Sequence, residues 1–164
     1  MSCVRAIRGP KTLSSVGKWM SGKKMPRTAF PLSRSHSYPL GSSFDWCICE
    51  AINAEGDLYR LLVAFDAAKE QYRAWLGMVA GHDIALLARL EFHPTHRGWH
   101  CHLKTGKASE IVKGVVKEPK HKDGVRICKK QATFGVSQLD ALGIAFRIFK
   151  IIPAAPSEGE ELFA

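Results

Sequence analysis

Residues 84–104 read IALLARLEFHPTHRGWHCHLK, and this stretch predicts the central hairpin of the fold. Ile84 to His93 and Trp99 to Lys104 are short β-prone runs, and the segment Pro94 to Gly98 between them is typical of a turn. This stretch contains four of the seven histidines in the chain, and all four fall in the ten residues from His93 to His102. We therefore expect two antiparallel strands that carry a concentration of imidazole side chains near their turn.

The alternation of side chains along a strand decides which of these histidines can meet. His100 and His102 share one face of their strand, whereas Cys101 points to the opposite, apolar face. On the preceding strand, Arg89, Glu91 and His93 share one face. A register that matches the two apolar faces places His93 opposite His100 and Glu91 opposite His102. Three imidazoles and one carboxylate are then expected to converge.

This set of side chains suits a divalent metal ion. Neutral imidazole nitrogens are ligands for zinc and its neighbours, and a carboxylate adds affinity for Mn or Mg. We therefore expect His93, His100, His102 and Glu91 to bind Mn, Mg or Zn. His96, in the predicted turn, is a fourth ligand, a catalytic proton carrier or an exposed side chain. The alternative is that all these residues lie on the hydrated face of a hairpin whose other face is in the core.

The run Trp99-His100-Cys101-His102-Leu103 resembles the HUH endonuclease motif, in which a small apolar residue separates two histidines on a strand. That superfamily includes rolling-circle replication initiators, conjugative relaxases and single-strand transposases. The resemblance covers one strand. It implies a ferredoxin-like sheet, a divalent metal held by the two histidines together with Glu91 or His93, and a tyrosine that attacks a DNA phosphate.

The three tyrosines of the chain, Tyr38, Tyr59 and Tyr72, all precede the histidines. Relaxases also place their tyrosine ahead of the histidines, so Tyr38 is the candidate catalytic nucleophile, whereas Tyr72 is explained as a core residue. Without a tyrosine nucleophile, a metal-activated water with His96 or His93 as proton carrier would serve the same phosphodiester chemistry.

Outward from the histidines, the chain predicts further strands and a helix. Phe44 to Ile52 and Leu58 to Phe65 are apolar runs joined by a turn-rich linker, which predicts a β-hairpin. Asp66 predicts the N-cap of a helix, because the apolar residues from Ala68 to Val79 fall at helical spacing and Gly81 follows them. The order up to this point is ββαββ.

The C-terminal part predicts a second helix. Ser137 and Asp140 form a capping-box pattern for a helix that ends near Ile152, before Pro153. The alternative for the Ile- and Phe-rich run 144–152 is a strand. Residues 110–133 predict either a basic hairpin or, at 109–117, a short helix. The expected fold class is therefore α+β, a mainly antiparallel sheet in ββαββ(ββ)α order, with one domain over residues 44–153.

Positive charge is distributed unevenly along a chain whose net charge is +9. The first 44 residues contain eight Lys and Arg residues and no acid, in a mixture of Ser, Gly and Pro without a helical or alternating period. We therefore predict that residues 1–43 form a flexible, disordered basic arm that contacts phosphates, acts as an organelle transit peptide or is simply solvated. Residues 154–164 predict an acidic, frayed tail.

A second basic segment follows the histidine strand directly, so a phosphate-binding surface would lie beside the metal. The residues expected to contact nucleic acid are Arg97, Lys104, Lys107, Lys113, Lys117, Lys120, Lys122, Arg126, Lys129 and Lys130. The leading hypothesis is a nucleic-acid-binding protein with a divalent-metal site, and a metal-dependent nuclease is its catalytic form. The alternative is a non-catalytic DNA- or RNA-binding accessory protein with structural histidines or a structural zinc.

Composition narrows the setting of this function. The chain has no P-loop, GxGxxG, GxSxG or HExxH pattern, which excludes the commonest nucleotide-binding and hydrolase signatures. Five cysteines, an odd number, favour a reducing compartment, and no apolar run reaches the length of a membrane span. We expect a cytoplasmic protein, or an organelle-imported one if the basic arm is a transit peptide.

Overall fold

A computed structural model describes residues 1–22, 24–31, 37–38, 40–94, 96–111, 113 and 134–154. The helices are α1 (Cys3–Arg8) and α2 (Gln138–Phe149), with a 3-10 turn at Ala108–Glu110. The strands are β1 (Lys11–Val16), β2 (Met20–Ser21), β3 (Met25–Pro26), β4 (Ser37–Tyr38), β5 (Asp45–Ile52), β6 (Leu58–Asp66), β7 (Gln71–Ala80), β8 (Asp83–His93), β9 (His96–Leu103) and β10 (Ile151–Ile152).

One curled sheet dominates the described part of the chain. Its strand order is β10-β1-β5-β6-β7-β8-β9, and β2 adds to the edge of β5 beyond β1. Strands β5 to β9 are consecutive antiparallel neighbours, as expected for a meander with short turns. The pairing of β1 with β10 is parallel and brings the two ends of the described chain together.

Both faces of this sheet are covered. On one face, α1 and α2 pack over a large apolar cluster that includes Tyr72, Leu90 and Phe149. On the other face, Met25 and Phe30 from the segment before β5 pack against a second cluster around Trp75. The middle strands are therefore buried on both sides, and each needs apolar residues in both alternating sets.

The expected α+β class with ββαββ(ββ)α order is wrong, because the segment predicted to be a helix after Asp66 forms strand β7. The residues of β7 that face the helices, such as Tyr72 and Leu76, are buried, and so is Trp75 on the opposite face. Two buried faces place apolar residues at separations of three and four as well as two, which imitates a helical period. Asp66 instead caps a turn, where it accepts hydrogen bonds from the Lys69 backbone and the Ser43 hydroxyl.

The expected disordered N-terminal arm is also wrong for the part of it that the structure describes. Cys3, Ala6 and Ile7 of α1 are buried in the larger apolar cluster. The next element, β1, lies inside the sheet between β10 and β5. The elements in this region are short, since α1 has six residues and β1 has six. Neither is long enough to show a clear sequence period, which is why the region reads as unstructured.

Other local predictions agree with the structure. Strands β5 and β6 form the predicted hairpin, with Cys49 opposite Leu61. Helix α2 begins with the predicted capping box, in which Ser137 and Asp140 satisfy each other's backbone N–H groups. It ends at Phe149 and not near Ile152 as predicted, since Lys150 adopts a left-handed conformation with φ of 56° and the chain continues into β10.

The structure describes only part of the C-terminal segments for which the other predictions were made. Most of the predicted hairpin at 110–133 and the acidic tail after Ala154 lie outside the described residues. No helix in the described ranges is both long and apolar enough to cross a membrane.

The side chain of Lys11 joins the two helices to the sheet. Its Nζ atom donates hydrogen bonds to the carbonyl oxygens of Ile7 and Gly9, at the end of α1, at 3.0 and 2.8 Å. It donates a third, at 3.0 Å, to Phe149, the last residue of α2. Helix C-termini expose unpaired carbonyls and partial negative charge, so one ammonium group stabilises both ends. Burial lowers the pKa of Lys11 to about 8, so the charged form predominates at pH 7.

We expect Lys11→Met to lower the free energy of unfolding at pH 7 by about 2 kcal/mol, because two buried carbonyls and one partly buried carbonyl lose a charged donor. Urea denaturation followed by circular dichroism measures this change. Lys18→Met, at an exposed position of the same segment, is the control and should change stability by less than about 0.5 kcal/mol. Equal stability of the two variants would show that Lys11 does not hold the helix ends.

Candidate metal centre

A β-bulge in β8 determines which face carries the candidate site. Leu76 of β7 pairs with Ala88, whereas the next residue, Gly77, pairs with Leu86, so Leu87 is an extra residue on β8. Before the bulge, Leu86 packs in the smaller apolar cluster; after it, Leu87 and Ala88 both pack in the larger one. The bulge therefore reverses the alternation along β8. Before the bulge the even-numbered residues face the smaller cluster, and after it they face the larger one.

Gly77 makes this bulge sterically possible. A Cβ atom at position 77 would lie 2.0 Å from Cγ2 of Ile84 on the paired strand. Such close approach of a backbone to a neighbouring side chain requires glycine. Because of the bulge, Glu91 lies on the face away from α2, together with the even-numbered residues of β9.

The observed register of β8 and β9 differs from the expected one by two residues. Glu91 lies opposite His100, and Arg89 lies opposite His102. The sequence analysis placed Glu91 opposite His102 and His93 opposite His100. A shift of two residues preserves the face of every side chain, so the same groups still share one side of the hairpin. His93 instead pairs with His96 across an irregularity next to the turn.

Glu91, His100 and His102 form a compact group, which we refer to as the triad. The Oε1 atom of Glu91 lies 2.9 Å from Nε2 of His100 and 3.0 Å from Nε2 of His102. One ligand atom from each residue lies within 4.8 Å of the other two. Two imidazoles and one carboxylate in this arrangement can hold a metal ion.

The triad is largely shielded from solvent, since the Glu91 side chain is 11% exposed and the two histidine side chains 17% and 14%. Burial raises the pKa of Glu91, but the positive charge of Arg89 and the hydrogen bonds from His102 and His100 together hold that pKa below its ordinary value. Arg89 Nη2 lies 3.0 Å from Glu91 Oε1. The carboxylate is therefore ionised at neutral pH and ready to act as a ligand.

The ring of His100 has an acceptor on each side. Its Nδ1 lies 3.3 Å from the carbonyl oxygen of Gly98, and its Nε2 faces the Glu91 carboxylate. A neutral imidazole has one N–H and satisfies one acceptor. A second proton or a metal ion on Nε2 satisfies the other. A histidine whose Nδ1–H donates to a backbone carbonyl is the arrangement in which Nε2 is oriented for a metal.

The other residues predicted to be catalytic or to bind the metal are not members of the triad, or have side chains outside the described part of the structure. The ring of His93 makes an edge-to-face contact with His100, with centroids 4.9 Å apart, but His93 does not join the triad. His96 lies on β9 and Tyr38 on β4; the side chains of both fall outside the described part of the structure. Tyr72 is buried and donates a hydrogen bond to the Ala141 carbonyl of α2, in agreement with a core role.

Few of the predicted nucleic-acid contacts can be located. Lys104, Lys107 and Lys113 belong to the described residues, and Lys107 and Glu110 form an exposed ion pair at 3.7 Å. Arg97 lies in β9, with its side chain outside the described part. The predicted contacts that fall entirely outside it are Lys117, Lys120, Lys122, Arg126, Lys129 and Lys130.

Sequence reasoning placed Arg89 on the face of Glu91 without giving it a role at the site, and it missed Arg73. Arg89 pairs with Glu91, and Arg73 of β7 lies directly opposite Glu91 in the sheet. The signal for Arg89 was present in the alternation of β8, which sets it two residues from Glu91 on the same face. Arg73 could not be found in this way, because its segment was predicted to be a helix.

Glu91→Gln should lower the free energy of unfolding of the metal-free protein at pH 7 by about 1 to 3 kcal/mol, since it removes the negative partner of Arg89, whose side chain is only 14% exposed. Because the pKa of Glu91 is lowered in the folded state, the wild-type advantage is complete above its ordinary value of 4.5 and is lost as the pH falls further. Denaturant titrations from pH 7 to pH 3.5 with EDTA present measure it.

The control for this comparison is Glu50→Gln. It removes a carboxylate that is also paired with an arginine, Arg60, at 2.8 Å, but the Glu50 side chain is 46% exposed. Its effect should stay below about 1 kcal/mol. A Glu91→Gln loss that persists unchanged down to pH 3.5 would show that the ionised carboxylate does not stabilise the fold.

The chain matches no family model, no curated protein and no solved structure.

Proposed function

We propose that this protein is a metalloprotein in which Glu91, His100 and His102 bind one divalent transition-metal ion. The observation that supports the proposal is the approach of both histidine Nε2 atoms to the same Glu91 oxygen, at 2.9 and 3.0 Å. Three ligands around a metal at roughly 2.0–2.2 Å lie somewhat farther apart than that. A small spreading of the same side chains would therefore admit an ion.

The ligand chemistry favours zinc, iron or manganese over magnesium or calcium. Two of the three ligand atoms are imidazole nitrogens, whereas magnesium and calcium bind oxygen ligands almost exclusively. Both histidines lie on one strand and Glu91 on its neighbour, so the paired backbones hold the ligands in place. Three protein ligands leave at least one coordination position for a ligand from solution.

Full-length protein should bind one Zn²⁺ or Mn²⁺ per chain, and the His100→Ala/His102→Ala variant should bind it roughly 100-fold more weakly or not at all, since loss of supporting residues alone reduces affinity 10- to 100-fold. Calorimetric titration of chelator-treated protein, with metal content measured by elemental mass spectrometry, tests this. His82→Ala, at an exposed histidine, is the control and should bind metal normally. Wild-type binding that survives in the double variant would exclude the triad.

The second candidate function is nucleic-acid binding, with phosphodiester hydrolysis as its catalytic form. The net charge of +9 supports it, as does the position of the basic segment, which begins at Lys104 immediately after β9. A divalent ion beside such a surface can polarise a phosphate and lower the pKa of a water molecule. Tyr59 and Tyr72 are buried, so neither supports attack by a tyrosine. The non-catalytic alternative is an accessory protein with the same binding surface.

Lys104→Gln/Lys107→Gln/Lys113→Gln should reduce the salt dependence of duplex binding. For the wild type we expect log K to fall against log salt with a slope of roughly −4 to −7, at about −0.9 per phosphate contact. The triple variant should have a slope that is less negative by about 2 to 3 units if all three lysines contact phosphates. Fluorescence anisotropy between 50 and 200 mM salt measures the slopes.

A variant with the same change of net charge, Lys69→Gln/Arg147→Gln/Lys150→Gln, is the control, because these cations are not part of the basic segment 104–130. An equal loss in both variants would show that binding follows net charge alone. Cleavage of labelled DNA or RNA with added Mn²⁺, lost in His100→Ala/His102→Ala, would separate the nuclease from the accessory protein.

A further inference from the structure

The outer face of α2 forms an open groove with β10 and the residue after it, Pro153. The groove has a volume of about 700 Å³, within the range of ligand pockets. The inner face of the helix, with Ala141, Ala145 and Phe149, is buried in the core. The side of α2 that lines the groove is therefore the one turned away from the sheet. Its lining includes Leu139, Gly143, Phe146, Arg147, Lys150 and Ile152.

This groove exposes apolar surface and has room for a further side chain. Leu139 is 93% exposed and Ile152 is 57% exposed, and Phe146 between them is half-buried. Single exposed apolar residues are common on proteins, but these three share one groove. Gly143 lies in its middle, and no described atom is within 4 Å of the place that its Cβ would take. Glycine inside a helix is destabilising relative to alanine, so this gap costs stability unless an occupant uses it.

The charges of the groove indicate the chemistry of an occupant. Arg147 and Lys150 are exposed and line it, and neither forms an ion pair with a carboxylate in the described part of the chain. Asp140 also lines the groove, but its carboxylate is engaged with Ser137 in the capping box. A segment that combines carboxylates with large apolar side chains is complementary to this surface.

The part of the chain that directly follows the groove has this composition. Residues 155–164 lie outside the described part of the structure, and their sequence is APSEGEELFA. Three glutamates precede an apolar pair: Glu158, Glu160 and Glu161, then Leu162 and Phe163.

This segment is also long enough to return along the helix. Ten residues span at most about 33–36 Å, whereas α2, with its 12 residues, is about 18 Å long. Pro156 and Gly159 are residue types that favour a turn, which a returning chain requires. Exposed ion pairs contribute little between separate molecules. A short tether, however, raises the effective concentration to about millimolar, so a weak contact can be populated within one chain.

We propose that residues 155–164 dock in the α2 groove of the same chain, in place of the frayed tail that the sequence alone predicts. The glutamates pair with Arg147 and Lys150, and the apolar pair covers the open space beside Gly143. The segment thereby shields apolar surface that α2 otherwise exposes. This contact is independent of the metal site, which lies on the other face of the sheet.

Photocrosslinking of the full-length protein tests the proposal. The photoreactive residue p-benzoylphenylalanine replaces Phe163, the dilute protein is irradiated, and the crosslinks are mapped by peptide mass spectrometry. We expect crosslinks within one chain to residues 138–153. The same photoreactive residue in place of His82, which is exposed and does not line the groove, is the control and should not crosslink to that segment.

A charge exchange tests the ion pairs. Arg147→Glu/Lys150→Glu should lower the crosslink yield by roughly threefold or more, because repulsion replaces two attractions. Adding Glu160→Lys/Glu161→Lys to that variant should restore the yield. Lys18→Glu/Lys69→Glu, at two exposed positions outside the groove, makes the same change of net charge and should leave the yield unchanged.

A second pair of variants tests the open space at Gly143. Gly143→Gln fills it with an uncharged, helix-favouring side chain and should lower the crosslink yield to a similar extent. Gly143→Ala adds one methyl group and should keep most of the yield. Both should melt at the same temperature as the wild type or higher, since the added Cβ meets no described atom.

Four results would overturn the proposal. Crosslinks that map outside residues 138–153 would place the segment elsewhere. Crosslinks found only at twice the mass of one chain would make a second copy the occupant. An equal loss in Lys18→Glu/Lys69→Glu would attribute the effect to net charge. An undiminished yield in Gly143→Gln, with the fold intact, would exclude the groove.

Discussion

The covering of the sheet on both faces is the constraint on which the rest of the structure depends. Helices α1 and α2 bury one face, and the segment before β5 buries the other. The Lys11 ammonium holds the first of these layers in place, because it satisfies carbonyls at the ends of both helices. Since burial of apolar surface supplies most of the driving force for folding, each layer stabilises the strands that it covers. Polar groups are left to the margin of the sheet, where β8 and β9 carry the triad.

This double covering explains which parts of the fold could be predicted from the sequence. The hairpin of β5 and β6 and the capping box of α2 depend on local patterns, and these predictions were confirmed. The strand conformation of β7, in contrast, depends on the two layers that cover its faces. Its buried residues on both faces, Tyr72 and Trp75 among them, erase the alternation that identifies a strand. The N-terminal helix and β1 are short and take their stability from tertiary packing, which no local pattern records.

For the candidate site, alternation predicted the correct face and missed the register. Glu91, His100 and His102 were expected on one side of the hairpin and lie there. The irregularity next to the turn, where Phe92 pairs with Trp99 but His93 with His96, moves the pairing by two residues. His93 consequently contacts the ring of His100 and leaves the ligand group to the other two histidines. The bulge at Leu87 has no sequence signature except Gly77, whose importance appears only when its contact with Ile84 is known.

The number of ligands in the triad is the reason for proposing a metal site with an open coordination position and not a closed structural zinc site. A structural zinc site is usually closed by four protein ligands, and the described triad supplies three. If the histidines served only to stabilise the hairpin, one of them would be sufficient to pair with Glu91, because Arg89 already contacts the same oxygen. Instead, donors from Arg89, His100 and His102 are all directed at one oxygen of Glu91.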